Sequence, residues 1–200
     1  MSRITISQDG KPRCAWSASA PEFDAYHDRE WGFAVGDDRR LFEKICLESF
    51  QSGLSWRTIL AKRENFRAAF AGFDYHLVAA FGPSEVDALL QNAGIIRHRG
   101  KIEAVINNAA RAVEMERTEG GLAAFFWRYE VQNPPEPQSA STCPESVALS
   151  KELKKRGWKF VGPTTCFAFM QAMGLVNDHA EGCHCRPLAA AARAAFQPPV

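Results

Sequence analysis

Glu48 and Trp56 carry side chains that together could recognise a flat, cationic ligand. Glu48 follows Leu41 by seven residues and Ile45 by three, so a helix places it on their apolar face. A carboxylate there costs several kcal/mol unless it meets a donor, a cation or a pocket. An indole face attracts a cation, and a carboxylate accepts its N–H groups. We expect Glu48 to line a pocket beside Trp56, although an ion pair with a core arginine or a bond from a backbone N–H would also explain it.

Two pairs of residues near opposite ends of the chain have the chemistry of metal ligands. Cys14 and His27 form the first pair, and His179 and Cys183, four residues apart, could lie on one helical turn. Together they would complete a tetrahedral Cys₂His₂ zinc site with no open position. His184 and Cys185 remain competing ligands on spacing alone. No export signal is visible, so the cysteines are expected to be reduced, which favours metal binding or burial over disulfides.

A basic turn separates two amphipathic segments in the middle of the chain. It contains Arg97, Arg99, Gly100 and Lys101, and the second helix is predicted to begin just after Gly100. The unpaired N–H groups of such a helix start can bind a phosphate. An ordinary helical hairpin with a solvated basic turn is the alternative, since basic turns are common on protein surfaces.

The elements that must position these residues are predicted to be helices, so the fold class is all-α. Helical periodicity recurs over most of the 200 residues, and alternating strand patterns are nearly absent. A helix is predicted over 37–53, capped by Asp37 or Asp38, and Ser55 is predicted to cap a helix running from Trp56 to Phe70. Ser84 is predicted to cap the helix before the basic turn, and Gly94 to end it in a left-handed conformation. We interpret the proline-rich segment 131–143 as a surface loop.

Composition limits the partners that the chain can have. The net charge is only +1, so a surface that binds nucleic acid must be local. The N-terminus lacks the apolar core of a signal peptide, and no run approaches the length of a membrane span. We therefore expect a cytoplasmic protein with no membrane partner, and a monomer, because no exposed apolar stripe suggests a dimer.

Six motifs that follow one another along the chain resemble the DNA-3-methyladenine glycosylase I (Tag) family. They are RCAW at 13–16, AYHDREWG at 25–32, CLESFQSGLSW at 46–56, AGIIRHRGKI at 93–102, LKKRGWKFVG at 153–162 and GLVNDHAEGC at 174–183. The resemblance covers roughly residues 12 to 187 and implies a compact fold of the helix-hairpin-helix glycosylase superfamily. It divides the chain into a flexible N-terminal extension (1–12), a single glycosylase domain (13–187) and an Ala-rich tail (188–200).

The resemblance implies a base excision repair enzyme that flips out 3-methyladenine from double-stranded DNA and hydrolyses its glycosidic bond, releasing the free base. The family's structural zinc ligands fall on Cys14, His27, His179 and Cys183. Its base pocket falls on Trp16, Tyr26, Glu48 and Trp56, with Glu48 as the central catalytic-site group. Gly53 and Leu54 would probe the gap left in the DNA, while Arg97, Arg99, Gly100 and Lys101 would contact the backbone.

The chain departs from the family pattern at three positions, which could retune the pocket edge or the choice of ligands. Ser49 replaces a common glycine, Phe50 follows it, and His184 interrupts a cysteine cluster. Most superfamily relatives also carry a catalytic aspartate after the hairpin, whereas here the segment 117–127 offers only Glu119. We therefore assign no general base.

Three other functions remain open from the sequence. The first is a zinc-stapled helical protein that senses lesions without cutting them. The second is a glycosylase with an iron–sulfur cluster, although Cys143, Cys166, Cys183 and Cys185 lack compact cluster spacing. The third is a helical scaffold in which Glu48 is merely ion-paired.

Overall fold

The computed structural model describes residues 3–199 and is mostly helical, as the sequence predicts. None of its helices is long and apolar enough to cross a bilayer. Short 3₁₀ helices cover Ala15–Ser19, Ala71–Phe73 and Trp127–Tyr129. The α-helices are Phe23–Arg29 (α1), Asp38–Gln51 (α2), Trp56–Ala61 (α3), Arg63–Ala69 (α4), Tyr75–Ala79 (α5), Pro83–Gln91 (α6), Arg99–Glu119 (α7), Leu122–Phe126 (α8), Pro144–Lys155 (α9), Pro163–Ala172 (α10) and Cys185–Ala195 (α11).

Helix α2 lies at the centre of the core. All ten of its residues from 41 to 50 are buried, and it packs against α3, α7, α8 and α10. Its start follows from the sequence, because the Asp37 carboxylate accepts a hydrogen bond from the Arg40 N–H (2.8 Å). A helix buried on every side must also bury polar side chains, and Lys44 and Glu48 are among them. The central helix thus carries charge into the interior.

The helical region after α2 is divided where the sequence predicted one helix. Ser55 caps α3 as expected, accepting from the Thr58 N–H (3.2 Å). The chain then breaks at Lys62, whose φ of −100° and ψ of 2° are not helical, and α4 begins at Arg63. The break lets the apolar faces of α3 and α4 reach the core separately, with Ile59 and Phe66 fully buried.

The turn between α6 and α7 differs in detail from the prediction. Gly82 rather than Ser84 precedes α6, and the Glu85 carboxylate accepts from the Gly82 N–H (2.7 Å). Gly94 is not left-handed. Instead its N–H donates to the Asn92 side chain (2.8 Å), and a Cβ at Gly94 would lie 2.9 Å from that oxygen. The glycine is needed for close approach rather than for a positive φ.

Part of the segment predicted to be a flexible N-terminal extension forms regular secondary structure. Ile4–Ile6 (β1) pairs antiparallel with Pro12–Cys14 (β2), with Ile4 opposite Cys14. The alternation Ile-Thr-Ile and the left-handed Gly10 (φ 79°) are the local causes. The fold is therefore helical with one two-stranded hairpin, and residues 1 and 2 lie outside the described range.

Most of the predicted Ala-rich tail is helical. Helix α11 extends to Ala195, and the Phe196 ring packs 4.7 Å from the Trp127 ring. The Arg193 guanidinium forms an ion pair with Glu130, with one Nη2–Oε2 distance of 2.6 Å. These contacts join the segment to the domain predicted at 13–187.

Candidate active site and metal cluster

A cavity of about 330 Å³ opens beside the C-terminal half of α2. This volume lies near the lower end of the range for small-molecule sites, about 300–1,000 Å³. All four residues predicted for the base pocket line it, so the structure brings them together. The lining residues are Trp16, Tyr26, Trp31, Glu48, Gln51, Trp56, Gln138, Ala140, Ala168, Gln171 and Asp178.

Aromatic rings form much of the wall of this cavity. The Trp16 and Trp31 rings are 5.1 Å apart and nearly perpendicular, while the Tyr26 and Trp56 rings are 5.3 Å apart with a 42° tilt. Such offset and edge-on pairs are favourable arrangements and hold each ring in place. The cavity is therefore suited to a flat aromatic ligand.

Glu48 is buried and ion-paired, and it also lines the cavity. Its Oε1 lies 2.6 Å from the Nζ of Lys44, one turn earlier on α2, and both side chains are about one-twentieth exposed. The Lys44 ammonium also donates to the Tyr26 hydroxyl (2.7 Å) and lies 3.4 Å from the centroid of the Trp56 ring. Burial lowers the pKa of Lys44, and the Glu48 carboxylate opposes that shift. The predicted carboxylate thus has both a cation and a pocket.

Lys44 was missed in the sequence, although its position four residues before Glu48 is a recognisable signal for an ion pair. The expected partner was an arginine. Burial of the Tyr26 hydroxyl, followed by the charge of Glu48, raises the pKa of Tyr26, so this hydroxyl keeps its proton.

Asp178 supplies a second buried carboxylate to the cavity, and the sequence analysis did not assign it. Its Oδ1 accepts from the Gln138 N–H (2.8 Å) and its Oδ2 from the Gln171 amide (2.6 Å). Gln138 lies in the proline-rich loop and has a positive φ of 56°, a strained conformation for a residue other than glycine. The loop interpreted as a surface feature therefore contributes part of the pocket wall.

The four predicted metal ligands come together in a buried cluster. One ligand atom from each of Cys14, His27, His179 and Cys183 lies within 4.8 Å of every other. The Cys183 sulfur is 3.4 Å from His27 Nε2 and 3.7 Å from His179 Nδ1, and the Cys14 sulfur is also 3.7 Å from His179 Nδ1. Hydrogen bonds from the Cys14 and Cys185 thiols lower the pKa of Cys183 and favour a thiolate there. These residues could hold a metal ion.

Surrounding acceptors orient both histidines toward the cluster. His27 Nδ1 lies 2.8 Å from Asp28 Oδ1, and His179 Nε2 lies 3.0 Å from the Trp31 carbonyl. Each acceptor favours a proton on the nitrogen facing it, which leaves the other nitrogen free to ligate. Arg13 in turn binds Asp28 (2.7 Å). The cluster has the outer partners that metal-binding histidines require.

His184 and Cys185, the competing ligands, lie against the Asp28 carboxylate. They form a second possible group with His27 and Asp28. His184 Nε2 is 3.1 Å from Asp28 Oδ1, the same oxygen that faces His27 Nδ1. Both groups join the two ends of the chain, and His27 Nε2 faces Cys183 of the first group, the set of ligands that the sequence predicted.

The cysteines proposed for an iron–sulfur cluster do not come together in the described residues. The Cys143 sulfur accepts from the Ser146 N–H (3.4 Å) at the start of α9, and the Cys166 thiol donates to the Val161 carbonyl (3.6 Å) on α10. Neither belongs to a metal-ligating group there.

The basic turn presents its residues differently from the prediction. His98 precedes α7, and its Nδ1 accepts from the Lys101 N–H (3.2 Å), so one of the helix-start donors is already used. Arg97 is exposed, and Arg99 is exposed but paired with Asp87 (2.7 Å). Gly100 is half-buried, and a Cβ added there would lie 3.3 Å from the His98 ring. Arg97, Arg99 and Gly100 therefore remain candidates for contact with a phosphate backbone.

Lys101 is buried, which corrects its prediction as a direct phosphate contact. Its Nζ donates to the carbonyls of Phe50 (2.8 Å) and Ser52 (2.6 Å) at the end of α2. The correction has a simple cause, since the last carbonyls of a helix lack partners within it. Lys101 instead connects the basic turn to the loop that follows α2.

That loop presents Gly53 and Leu54 at the surface. Gly53 has a left-handed conformation (φ 79°). Leu54 is a large apolar residue whose surface is two-fifths exposed. Lys101 fixes the carbonyl of the preceding Ser52, so the tip is attached to α7 as well as α2. Leu54 thus lies in the loop between Gln51 and Trp56, which both line the cavity, and Lys101 connects this loop to the basic turn.

Comparisons with known proteins agree on one family. The family model for methyladenine glycosylase matches residues 16–186. DNA-3-methyladenine glycosylase 1 of Escherichia coli (strain K12) is 52% identical over 182 residues, which cover 88% of this chain and 97% of that protein. A crystal structure of 3-methyladenine DNA glycosylase I superposes with a TM-score of 0.82 at 51% identity, covering 86% of this chain and 98% of the other. A variant of 3-methyladenine DNA glycosylase I in complex with 3-methyladenine superposes with a TM-score of 0.82 at 34% identity, covering 88% and 97%. By sequence and by structure, this chain belongs to the methyladenine glycosylase family.

Proposed function

We propose that this enzyme is a DNA repair glycosylase that flips 3-methyladenine out of alkylated duplex DNA and hydrolyses its glycosidic bond, leaving an abasic site. The names of the relatives support the activity and the substrate. The observation that carries the proposal is the cavity in which Glu48 meets Trp16, Tyr26 and Trp56. It has the shape, the aromatic walls and the buried acceptor that an adenine ring requires.

The chemistry of the lesion reduces what the protein must supply. Methylation at N3 puts a positive charge on the base, so the base leaves readily when the glycosidic bond breaks. Glu119, the one carboxylate in the segment after the hairpin, is held by Arg128 (2.6 Å) and Arg156 (2.7 Å) and does not line the cavity. This supports a reaction that depends on recognising and orienting the base rather than on a carboxylate after the hairpin.

Base recognition would use the face and the edge of the ring. Trp56 would stack on the cationic ring, and Trp16 would line the other wall. Glu48, as the central group of the site, would accept a hydrogen bond from the exocyclic amine, and Tyr26 would add a polar contact. A bound base would displace water from the cavity, and each of these interactions is stronger where water is excluded.

DNA binding would use the surface around the cavity mouth. Arg97, Arg99 and Gly100 would hold the phosphates without reading sequence, as in a helix-hairpin-helix glycosylase. Leu54, with Gly53 permitting its turn, would fill the gap left by the extruded nucleotide. The positions of these residues support the proposed roles, because Lys101 connects the loop that carries Leu54 to the basic turn.

Zinc is the ion that we propose for the Cys₂His₂ cluster. Ligands at ordinary zinc distances in a tetrahedron are about 3.5 Å apart, close to the separations seen here. Two thiolates and two imidazoles leave no open position, so the ion would stabilise the fold and take no part in the reaction. Its role would be to join the segment around His27 to the segment around His179.

The test is excision from a duplex that contains one 3-methyladenine. The expected result is release of the free base and an alkali-sensitive strand break at the lesion, neither of which occurs with an undamaged duplex. A protein that binds the lesion tightly but releases no base would instead be a lesion sensor, and the proposed function would be wrong.

A further inference from the structure

Phe160 is an exposed aromatic residue beside the basic turn, and the proposed function leaves it without a role. Its surface is 41% exposed, and it is the only exposed Phe, Tyr or Trp within residues 3–199. Its ring lies 6.3 Å from the His98 ring and nearly perpendicular to it. A Cβ added at Gly100 would lie 3.9 Å from the edge of the same ring. Phe160 therefore adjoins the start of α7.

The backbone at Phe160 is strained and is held by two core helices. Its φ is 56°, in the left-handed region that Gly or Asn adopts at a lower cost. The preceding Lys159 forms two backbone hydrogen bonds with the Asn108 side chain on α7 (2.8 and 3.0 Å). The Phe160 carbonyl lies 3.0 Å from the hydroxyl of Ser49 on α2, at the position where the family often has glycine. The fold thus holds an apolar ring at the surface in a strained conformation, which packing in the core does not explain.

Leu54 and Phe160 are both attached to the first turn of α7. Lys101 donates to the Ser52 carbonyl in the loop that carries Leu54, whereas the His98 ring packs against Phe160. Each of the two apolar side chains belongs to a residue that is about two-fifths exposed. A duplex bound at the basic turn would therefore meet two apolar groups, one aliphatic and one aromatic.

We propose that Phe160 stacks on the base that remains in the undamaged strand after its partner has been flipped out. The inference rests on the proposed function and deepens it. Extrusion of one nucleotide leaves a gap in the damaged strand and an unpaired base opposite that gap. Leu54 is assigned to the gap, so the second apolar group is available for the unpaired base. A flat aromatic ring suits the face of a base better than an aliphatic side chain does.

The charge beside Phe160 is complementary to the backbone of that strand. Lys159 is exposed, and its ammonium has no partner within the described part of the chain. It would bind a phosphate next to the unpaired base, which adds to the phosphate contacts of the basic turn. A phosphate contact does not depend on the base, whereas stacking does. This difference separates the proposed role of Phe160 from general attraction to DNA.

The test compares two duplexes that each contain one 3-methyladenine. The nucleotide opposite the lesion is thymidine in the first duplex and a tetrahydrofuran analogue, which has no base, in the second. Phe160→Ala should lower kcat/KM at least about fivefold on the first duplex. The same change should have no effect on the second, because no base is present on which the ring could stack. Phe160→Trp, which keeps a ring, should retain the activity. Leu188→Ala on α11, another exposed apolar residue, should match the unaltered enzyme on both duplexes.

Leu54→Ala is the contrasting variant, since the gap that Leu54 would fill lies in the damaged strand. Its loss of activity should be similar on the two duplexes. Full activity of Phe160→Ala on the first duplex, or an equal loss on both, would overturn the inference. A loss that depends on the opposite base in Leu54→Ala instead of Phe160→Ala would reverse the two assignments and would also overturn it. Failure of the unaltered enzyme to release the base from the first duplex would refute the glycosylase function itself.

Phe160→Asn distinguishes stacking from a structural role. Asn adopts a left-handed conformation more readily than Phe, so the melting temperature should not fall, whereas the loss of excision should equal that of Phe160→Ala. Binding of free 3-methyladenine, measured by calorimetry, should be unaltered because it involves no opposite strand. A melting temperature or free-base affinity that falls together with excision would show that Phe160 is only structural, and the inference would be wrong.

Discussion

The Cys/His cluster and the base cavity are both buried, both polar and both built from the same stretches of chain, yet they differ in how far their hydrogen-bonding capacity is filled. His27 and His179 each have an outer acceptor and face the other ligands. In the cavity, Glu48 and Tyr26 have only Lys44 as a partner within the described residues, and each keeps an unused acceptor or donor. The Cys/His cluster, whose polar groups are paired, should stabilise the fold, whereas the cavity, where Glu48 and Tyr26 keep unused hydrogen-bonding capacity, can bind a ligand.

The two regions are also neighbours along the chain. Tyr26 of the cavity precedes His27 of the cluster, and Asp178 of the cavity precedes His179. Trp31 lines the cavity while its carbonyl accepts from His179. An ion that fixes the histidines would therefore also fix one wall of the pocket. Substitutions in the Cys/His cluster, the closed region, should mainly lower stability. Substitutions in the base cavity, the open region, should mainly lower activity.

The largest effect is expected from Cys183→Ser. Loss of one thiolate should release the zinc and leave a buried, unfilled cluster, at a cost of several kcal/mol in the free energy of unfolding. The melting temperature and the metal content by mass spectrometry measure this. Cys143→Ser is the matched control, since Cys143 only caps α9 and serine is a good capping residue. A native protein that contains no zinc would refute the metal assignment.

A smaller effect on stability and a large one on activity are expected from Glu48→Gln. The amide keeps the shape of the side chain but leaves the buried Lys44 ammonium without its counter-charge. A hydrogen bond to a charged group contributes about 1.5–3 kcal/mol, so kcat/KM for 3-methyladenine should fall roughly 10- to 150-fold. Full activity in this variant would exclude Glu48 from base recognition.

Trp56→Ala should separate the two regions most cleanly. Stacking of a base on an aromatic ring contributes about 1–3 kcal/mol, so kcat/KM should fall roughly 5- to 150-fold. The melting temperature should change little, because Trp56 is only partly buried and lies outside the Cys/His cluster. Trp56→Phe should retain most of the activity. A large loss of stability with unchanged excision would reverse the assignment of this residue to the open region.

Leu54→Ala should give the smallest effect of the four. The side chain is exposed in the free protein, so the fold should not depend on it. Removing its apolar volume should weaken the filling of the DNA gap and lower kcat/KM roughly tenfold. Binding of free 3-methyladenine should be unaltered, as measured by calorimetry. If free-base binding falls in parallel, Leu54 belongs to the pocket instead of the DNA wedge.

The sequence predicted what depends on local periodicity and on motifs. The start of α2 at Asp37, the burial of Glu48 and the convergence of Cys14, His27, His179 and Cys183 are confirmed. The four ligands could be predicted because they form two pairs that are each local in sequence, Cys14 with His27 and His179 with Cys183. Only the contact between the two pairs is long-range.

The features that the sequence did not reveal depend on contacts between distant segments. Gln138 reaches the cavity by bonding to Asp178, forty residues later, and no local pattern signals this. Lys101 was expected to face solvent because basic residues at a helix start commonly do. Its ammonium is instead buried and donates to two carbonyls at the end of α2. Only the ion pair of Lys44 with Glu48 could have been predicted, because the two residues lie four positions apart on one helix.

The position of Lys101 also has a consequence for electrostatics at the proposed DNA-binding surface. Helix α2 ends at Gln51, and the carboxyl end of a helix carries a partial negative charge of about half an electron. This end lies directly before Leu54, where a polyanion would approach. The Lys101 ammonium donates to two carbonyls at this end and offsets its partial negative charge. Removing that charge should therefore slow encounter with DNA most at low ionic strength, even though the lysine would touch no phosphate.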